Sequence, residues 1–217
     1  PKGVMITHQN VVRLMKNDRP LFSFSHLVTW TLFHSLCFDF SVWEMYGALL
    51  NGGTLVIVSK EDAKDTKKFL KICKRHKVTV LNQTPGAFYN FIMEEILDPK
   101  ASLLLRYVIF GGEALKPAVL LPFHKKYPEI ELINMYGITE TTVHVTFKKV
   151  HTADMKRGIS NIGKAIPTLK TYILDKNHNL LPIGIPGELC VSGDGVARGY
   201  LGNKEMTEQK FIPNPFG

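Results

Sequence analysis

Short apolar segments alternate with helix-like segments before about residue 155, and this alternation constrains the fold more than any other feature. Runs such as TLVIV, VTVLNQ and IELINMY have the length and composition of buried strands. Amphipathic segments such as KDTKKFLKICKRHK and GAFYNFIMEEIL lie between them and are typical of helices. This order predicts an α/β fold with a largely parallel sheet and flanking helices.

The composition and the hydrophobic periodicity of the sequence change after this region. Residues 156–217 are rich in Gly, Pro and Asn, and short strand-like runs, KTYILD and GELCVSG, replace the helical periodicity. We therefore predict an α/β part over residues 1–155 and a small β-rich, barrel-like subdomain over residues 156–217. At the start of the chain, a Pro-Lys-Gly turn precedes a predicted apolar strand, and Thr7 or Asn10 could cap a helix.

Composition excludes several classes of function. The 27 basic and 19 acidic residues give a net charge of +8, but the lysines are scattered, which does not indicate a nucleic-acid interface. The three cysteines are far apart, which favours a reducing, cytoplasmic location over a disulfide framework or a metal site. No apolar run reaches the ~18 residues of a membrane span.

The predicted parallel sheet indicates where a ligand would bind. Ligands of open α/β sheets bind beyond the carboxyl ends of the strands, which here are followed by NQTPG, FGGEA and YGITETT. Gly111 and Gly112 would let the backbone approach a ligand closely. Glu140, among Thr139, Thr141 and Thr142, suits a Mg²⁺-bound phosphate. The same threonines could instead be residues of a turn or a capped helix start, and composition alone leaves both interpretations open.

Five motifs in a fixed order carry a more specific signal. PKGVMITH, FDFSVWE, FGGEAL, NMYGITETT and GELCVSGDGVARGYLGNKEMTEQKF together resemble the amino-acid adenylation domains of nonribosomal peptide synthetases, in the adenylate-forming superfamily. The resemblance covers essentially the whole chain. It implies that an amino acid reacts with ATP to give an aminoacyl adenylate and pyrophosphate. The acyl group then passes to the thiol of a phosphopantetheine arm on a carrier domain.

The resemblance also implies roles for individual residues. Tyr136 would stack on adenine, Thr139 would contact the α-phosphate, and Glu140 would bind Mg²⁺. The remaining residues of the implied nucleotide site are Gly112, Glu113, Ala114, Asn134 and Gly137. His34 resembles a catalytic position near the path of the acyl and phosphate groups, although a histidine of the core is an alternative.

Several parts of the family pattern are expected outside this sequence. Pro1–Gly3 resembles only the tail of the phosphate loop, and Lys2 is expected to be solvated. The aspartate that holds the ribose and the mobile lid with its lysine are expected beyond residue 217. We therefore expect an incomplete domain that is inactive alone, since the lid supplies positive charge to the reacting phosphate.

The implied substrate pocket begins at Asp39, which either pairs with a substrate α-ammonium or caps the following helix. The other implied pocket residues are Phe40, Trp43, Asn82, Ile109, Gly111, Met135, Val143 and His144. Most are apolar and several are bulky, so a small side chain with a hydroxyl fits best. The set also resembles the family's threonine pattern, which favours L-threonine, with serine second. Asn82 could instead satisfy only backbone groups, and His144 could face solvent.

The resemblance implies ATP, an amino acid, and the carrier and condensation domains of the same synthetase as partners, with a small activating protein as a further candidate. Two other functions remain as alternatives. One is an acyl-CoA or aryl-acid ligase, and the other is a noncatalytic nucleotide-binding or scaffold fragment.

Overall fold

The computed structural model describes residues 2–97 and 102–217. These residues form two compact units that interleave along the sequence. The sheet unit comprises Phe22–Tyr136 and Thr146–Lys164, and the second unit comprises Pro1–Leu21, Gly137–Val145 and Ala165–Gly217. The division of the chain at residue 155 stays a prediction. Pro1, part of the predicted loop remnant, lies outside the described residues.

The sheet confirms the predicted fold class. Its strands are β1 Thr29–Leu32, β2 Thr54–Ile57, β3 Val80–Gln83, β4 Tyr107–Phe110, β5 Glu131–Tyr136, β6 Thr146–Lys149 and β7 Lys164–Ala165. They lie in the order β2-β1-β3-β4-β5-β6-β7. Strands β1 to β5 pair in parallel, and β6 pairs antiparallel with β5.

Helices connect these strands. They are α2 Phe40–Leu49, α3 Lys60–Lys64, α4 Thr66–Arg75, α5 Pro85–Ile96, α6 Leu121–Lys126 and α7 Thr152–Arg157. Their starts follow local chemistry: the Asp65 side chain accepts from Lys68 N before α4, and the Thr84 side chain accepts from Ala87 N before α5. Pro85 at the first position of α5 has no N–H that a helix start would leave unpaired.

The main core lies on one face of the sheet. Leu81, Val108 and Leu132 are in register across β3, β4 and β5 and pack with apolar side chains of α4, α5 and α6. Burying such a side chain fully contributes about 1.5–3 kcal/mol. Successive residues of a strand point to opposite faces, so Asn82 and Ile109 lie on the other face. That second face carries the pocket residues predicted for these two strands.

The second unit contains a smaller sheet. Its elements are α1 His8–Met15, β8 Leu169–Leu174, β9 Glu188–Gly193 and α8 Lys204–Lys210. Strands β8 and β9 pair antiparallel, which confirms a small β-rich part. Two strands form this sheet in the described part of the chain, so a barrel-like arrangement stays a prediction. Thr7 caps α1 by accepting from Asn10 N, so of the two predicted caps Thr7 is correct.

Two local predictions in this unit are wrong. The predicted first strand is reduced to a single bridge between Val4 and Tyr200, flanked by backbone hydrogen bonds from Leu201 N to Gly3 O and from Met5 N to Gly199 O. Helix α8 lies where the sequence patterns predict no helix, and the Asn203 side chain caps it by accepting from Met206 N. Among the described residues, no helix combines the length and apolar character needed to cross a membrane.

Candidate functional site

The loops after β3, β4 and β5 leave the sheet at one edge, because these strands are parallel. Asn82 and Ile109 are partners in register and are fully buried. Met135 lies on β5, two residues beyond Ile133, which pairs with Ile109. Met135 is also buried, with 3% of its surface exposed. The sheet unit therefore brings together three of the predicted pocket residues.

Gly111 follows β4 and is required by close packing. A Cβ atom at this position would lie 2.9 Å from Cζ of Phe40, so any side chain would displace that ring. Phe40 is the first residue of α2 and is 2% exposed. Because Gly111 leaves room for it, the Phe40 ring reaches the end of β4, where the sequence predicts a wall of the pocket.

Trp43 and Asn82 form a buried hydrogen bond that fixes the orientation of the Asn82 amide. The indole Nε1 of Trp43 donates to Oδ1 of Asn82 at 2.8 Å. An indole N–H can only donate, so the amide atom facing it must be the oxygen. The opposite atom, Nδ2, is buried and has no hydrogen-bond partner among the described residues. Asn82 therefore holds a side chain in place and does not merely satisfy backbone groups.

Asp39 precedes α2, at the position of a helix cap. Its backbone is in the helical region, with φ −63° and ψ −18°, and its side chain makes no capping hydrogen bond. A capping carboxylate would accept from a backbone N–H of the first turn. The geometry therefore does not support the capping alternative for Asp39, which is partly exposed.

The residues predicted for adenine lie on β5 and in the loop after β4. Tyr136 ends β5 and is 38% exposed, so its ring has an accessible face. Gly112, Glu113 and Ala114 are exposed in the loop after β4. Gly112 has a φ of +82°, a conformation that favours glycine.

Hydrogen bonds fix the side chains of Glu113 and Asn134 within the sheet unit. Glu113 Oε2 accepts from Gly86 N at 3.1 Å, which links the loop to the first turn of α5. A carboxylate is stabilised there by the free N–H groups and the dipole of the helix. Asn134 Nδ2 donates to the carbonyl of Asn161 at 2.8 Å, so this side chain is engaged with the backbone.

The threonine-rich turn lies in the second unit. Residues Thr139–Thr141 form a short 3₁₀ helix, and Thr142 and Val143 follow with φ values of 60° and 66°. Left-handed φ values are costly for β-branched residues, so this turn carries backbone strain. Thr141 Oγ1 donates to Ile138 O, and Thr142 Oγ1 donates to Gly195 O. Both hydroxyls therefore stabilise the turn, in agreement with the alternative that these threonines are turn residues. The Thr139 side chain is exposed.

Arg13 supports this turn from within the second unit. Its Nη2 donates to Thr141 O at 3.0 Å, its Nη1 donates to Thr168 Oγ1 at 3.1 Å, and its Nε donates to Asn10 O at 3.0 Å. Burial lowers the pKa of Arg13 to about 10, and the charge of Asp194 opposes that shift. The guanidinium therefore stays charged at neutral pH and orders three segments at once.

Glu140 is held by the hydroxyl of Tyr200. Tyr200 Oη donates to Glu140 Oε1 at 2.6 Å, and this bond, with burial, raises the pKa of Tyr200 to about 12. Ala197 N donates to the carbonyl of Glu140 at 2.9 Å, which fixes the backbone as well. Oε2 is the carboxylate oxygen that Tyr200 does not engage. The Lys2 ammonium is exposed and lies 5.3 Å from the Tyr200 ring centre.

Glu140 can hold Mg²⁺ only together with other ligands. Among the described residues, no three His, Cys, Asp or Glu side chains gather where they could bind a metal. Mg²⁺ in nucleotide sites is commonly bound by one or two carboxylates together with substrate phosphates and water. Glu140, whose Oε1 accepts from Tyr200 and whose Oε2 is not engaged by Tyr200, fits that form of binding.

Val143 and His144 follow the strained turn and are buried in the second unit, with 6% and 2% of their surfaces exposed. The alternative in which His144 faces solvent is therefore wrong. Burial lowers the pKa of His144 to about 3, and the nearby charge of Arg13 adds to the effect. The His144 ring is consequently neutral at physiological pH. Gly137, which opens this segment, follows Tyr136 directly; a Cβ there would lie 2.1 Å from Val143 O.

His34 lies just beyond β1 and pairs with a residue that the motifs did not single out. Its Nδ1 is 3.0 Å from Oε1 of Glu44, in α2. Sequence reasoning also missed Arg13 and Tyr200. The signal for Glu44 was a lone acid in the otherwise apolar helix SVWEMYGALL, and Tyr200 lies in the quoted ARGYLG run. Arg13 gave no signal beyond its place in α1.

A family model described as AMP-binding enzyme matches residues 1–201. The chain belongs to the AMP-binding enzyme family. The match covers the strands β1 to β5, the threonine-rich turn and Tyr200, so it includes the residues described above.

Relatives within the AMP-binding family are large proteins. The chain is 56% identical over 216 residues to a plipastatin synthase of Bacillus subtilis and 39% identical over 218 residues to syringomycin synthase SyrB1 of Pseudomonas syringae. Those alignments cover 100% and 99% of this chain, but only 8% and 35% of the relatives. The chain thus spans a small part of each.

A solved structure has the same fold over the whole chain. It is holo-PA1221, described as an NRPS protein containing adenylation and PCP domains bound to a vinylsulfonamide inhibitor. The TM-score is 0.89 at 26% sequence identity, and the match covers 100% of this chain and 37% of that protein. This member of the AMP-binding family therefore resembles an adenylation domain in sequence and in fold.

Proposed function

We propose that this chain is part of an enzyme that activates an amino acid for nonribosomal peptide synthesis. The substrate carboxylate attacks the α-phosphorus of ATP, and pyrophosphate leaves. The sulfur of a phosphopantetheine thiol then attacks the acyl carbon, the thiol proton is lost, and AMP leaves. The observation that carries the proposal is the similarity to peptide synthetases over the whole chain, together with the shared fold.

The nucleotide roles follow the family resemblance and agree with the local chemistry. The exposed ring of Tyr136 suits stacking on adenine, beside the loop of Gly112, Glu113 and Ala114. Thr139 is proposed to contact the α-phosphate, and Asn134 and Gly137 are proposed to support the nucleotide. Glu140 would hold Mg²⁺, which neutralises charge that develops on the phosphates. Only Glu140 is assigned as a metal ligand.

The substrate proposal is an α-amino acid with a small hydroxylated side chain, L-threonine first and serine second. Asp39 would pair with the α-ammonium, as the family resemblance implies. Phe40, Trp43, Ile109, Gly111 and Met135 supply a buried apolar wall. Val143 and His144 keep their implied pocket roles as proposals.

Asn82 gives the physical reason for a hydroxyl. Trp43 occupies its oxygen, so the amide presents Nδ2, a donor that has no acceptor among the described residues. A buried donor without a partner costs about 1–3 kcal/mol. A substrate oxygen that accepts from Nδ2 removes this cost, whereas the methyl group of valine does not. A threonine hydroxyl is small enough to supply such an oxygen.

The partners and location are also proposals. The similarity to a protein with adenylation and PCP domains supports a carrier domain as partner, and the peptide synthetase relatives support a condensation domain. A small activating protein remains a further candidate. All three cysteines are free, which agrees with a reducing, cytoplasmic location.

The test is amino-acid-dependent ATP–pyrophosphate exchange in the enzyme that contains this chain. We expect Asn82→Ala to lower kcat/KM for threonine by the equivalent of about 1–3 kcal/mol and to affect valine much less. Trp43→Phe should shift the threonine-to-valine ratio in the same direction, because the amide is then free to rotate.

The matched control is Asn90→Ala, on the exposed side of α5. It should leave the ratio unchanged. An unchanged ratio in Asn82→Ala would remove the basis for a hydroxylated substrate. Exchange with an aryl or fatty acid and with no amino acid would instead favour an acyl or aryl-acid ligase.

A further inference from the structure

His34 and Glu44 form a buried pair in the sheet unit. The carboxylate of Glu44 is fully buried, and only 7% of the His34 side chain is exposed. Their contact joins Nδ1 of the imidazole to Oε1 of Glu44 at 3.0 Å. A buried carboxylate against one nitrogen of a histidine is the arrangement that orients the imidazole in nucleophilic and acid–base sites.

The second oxygen of Glu44 is also engaged, which fixes the carboxylate. Oε2 accepts from the backbone N–H groups of Phe33 and His34, both at 3.1 Å. Burial raises the pKa of Glu44, and the hydrogen bonds from His34 and Phe33 oppose this rise. An ionised carboxylate can only accept hydrogen bonds, so Oε1 is satisfied by Nδ1 when Nδ1 carries the proton that faces it.

The other ring nitrogen of His34 is left for a ligand. The imidazole packs against the rings of Phe33, Phe38 and Phe40, with centroid distances of 5.1, 5.4 and 4.7 Å. Its Nε2 is buried and has no hydrogen-bond partner among the described residues. His34 follows β1, which is parallel to β3, so it lies at the carboxyl edge of the sheet. Phe40 links it to Gly111 at that edge.

We propose that Glu44 is a positioning residue, which holds His34 with Nδ1 protonated and presents Nε2 to the reacting groups at this edge. The proposal rests on the proposed function for the identity of those groups. Glu44 acts only through His34 and does not touch the substrate. It fixes the tautomer and the plane of the ring, and it stabilises the imidazolium if Nε2 takes up a proton.

The variant Glu44→Gln gives a specific expectation, because glutamine has one acceptor and one donor. The backbone N–H groups of Phe33 and His34 require the amide oxygen at the place of Oε2. The amide NH₂ then faces Nδ1 and donates to it. His34 must therefore switch to the tautomer that is protonated at Nε2, while the side chain keeps nearly the same shape.

The experiment records ¹⁵N NMR signals of the His34 ring in the enzyme that contains this chain, with His34→Gln used for assignment. In the wild type, Nδ1 should carry a proton, and in Glu44→Gln the proton should move to Nε2. Glu94→Gln, on the more exposed side of α5, is the matched control and should leave both signals unchanged. Wild-type protein protonated only at Nε2 would overturn the proposal, even if Glu44→Gln failed to fold.

Kinetics then test whether the tautomer matters to the reaction. We expect Glu44→Gln to lower kcat for pyrophosphate exchange or thioester loading on the order of 10²-fold, with little change in KM for ATP. In a His34→Gln background, Glu44→Gln should have no further effect. An additional loss there, or wild-type kcat in either single variant, would overturn the role. If neither the wild type nor any variant catalyses pyrophosphate exchange, but the His34 tautomer still changes in Glu44→Gln, the proposed function is wrong and the positioning role of Glu44 is supported.

Discussion

A single hydroxyl decides which oxygen of Glu140 is available to a metal. Tyr200 donates to Oε1 and is itself packed against Phe211, with ring centroids 5.5 Å apart. Tyr200 is only 5% exposed, so its position is well defined. Removing a neighbour that orients a metal-binding side chain commonly weakens metal affinity by about 10- to 100-fold. The role proposed for Glu140 therefore depends on a residue 60 positions away.

Removing this hydroxyl should weaken divalent metal binding without destroying the site. For Tyr200→Phe we expect roughly tenfold weaker Mn²⁺ binding in the presence of ATP, measured by electron paramagnetic resonance, and a matching rise in the Mg²⁺ concentration needed for exchange. Glu140→Gln, which removes the charge, should cost about two orders of magnitude or more in kcat.

Tyr46→Phe, at an exposed position of α2, is the control and should change neither quantity. Equal Mn²⁺ affinity in wild type and Tyr200→Phe would mean that the hydrogen bond does not orient a metal ligand. Near-normal exchange in Glu140→Gln would remove the metal role itself.

At the scale of elements, the strained turn after the 3₁₀ helix is stabilised by α1 and by the loop after β9. Arg13 donates to Thr141 O, and Thr142 Oγ1 donates to Gly195 O. A Cβ atom on Gly195 would lie 2.0 Å from Nη2 of Arg13, so only glycine leaves space for the guanidinium. Two left-handed residues in succession persist because these contacts outweigh the strain.

Replacing the planar fork of Arg13 should destabilise this arrangement. A lysine carries one ammonium and cannot reach the acceptors on Asn10, Thr141 and Thr168 together. We expect Arg13→Lys to lower the free energy of unfolding by about 2–4 kcal/mol, since buried carbonyls lose their donors. Urea denaturation followed by circular dichroism measures this change.

Two further variants sharpen the test of Arg13. Gly195→Ala should destabilise the protein as well, because its methyl group displaces the guanidinium. Arg19→Lys, at an exposed position, should have an effect within about 0.5 kcal/mol. If Arg13→Lys were as stable as Arg19→Lys, the fork would not be what holds the turn.

The elements that sequence reasoning predicted correctly are those that local patterns encode. Strands β3, β4 and β5 and helices α4 and α5 have clear periodicity, and Thr84 and Pro85 mark a helix start within two residues. The sequence placed Asn82 and Ile109 among the pocket residues, whereas their pairing in register is an observation of the structure. The hydrophobic periodicity of these strands and helices therefore predicted the edge of the sheet where the ligand is proposed to bind.

The features that escaped prediction depend on partners distant in the sequence. Arg13 contacts Thr141, 128 residues away, and Tyr200 contacts Glu140, 60 residues away. Neither pair leaves a periodic signal, because each side chain's role depends on the folded path of the backbone. Glu44 and His34 are only ten residues apart, but a loop and a helix start lie between them, and no hydrophobic period links them.

For the whole molecule, the change of folding stability in acid combines ionisable groups whose effects have opposite signs. Glu44 has a raised pKa in the folded state, so its proton uptake favours folding as the pH falls. His144 has a lowered pKa of about 3, so in acid it is neutral in the folded state and charged in the unfolded state. The net charge of +8 also grows in acid, which opposes compactness. Only a comparison between variants separates these contributions.

His144→Gln isolates the histidine contribution, because glutamine is polar and does not titrate. The unfolded histidine binds a proton below about pH 6.5, while the folded one does so only near pH 3, so stability falls between these values as the pH falls. The loss is about 1.4 kcal/mol per pH unit, or about 3 kcal/mol between pH 6.5 and pH 4. Urea denaturation at several pH values should give a free energy of unfolding that declines more steeply in the wild type than in His144→Gln, by this amount. His178→Gln, on an exposed turn, should follow the wild type. Parallel curves for wild type and His144→Gln would show that His144 takes up its proton equally well in both states and is not a buried neutral ring.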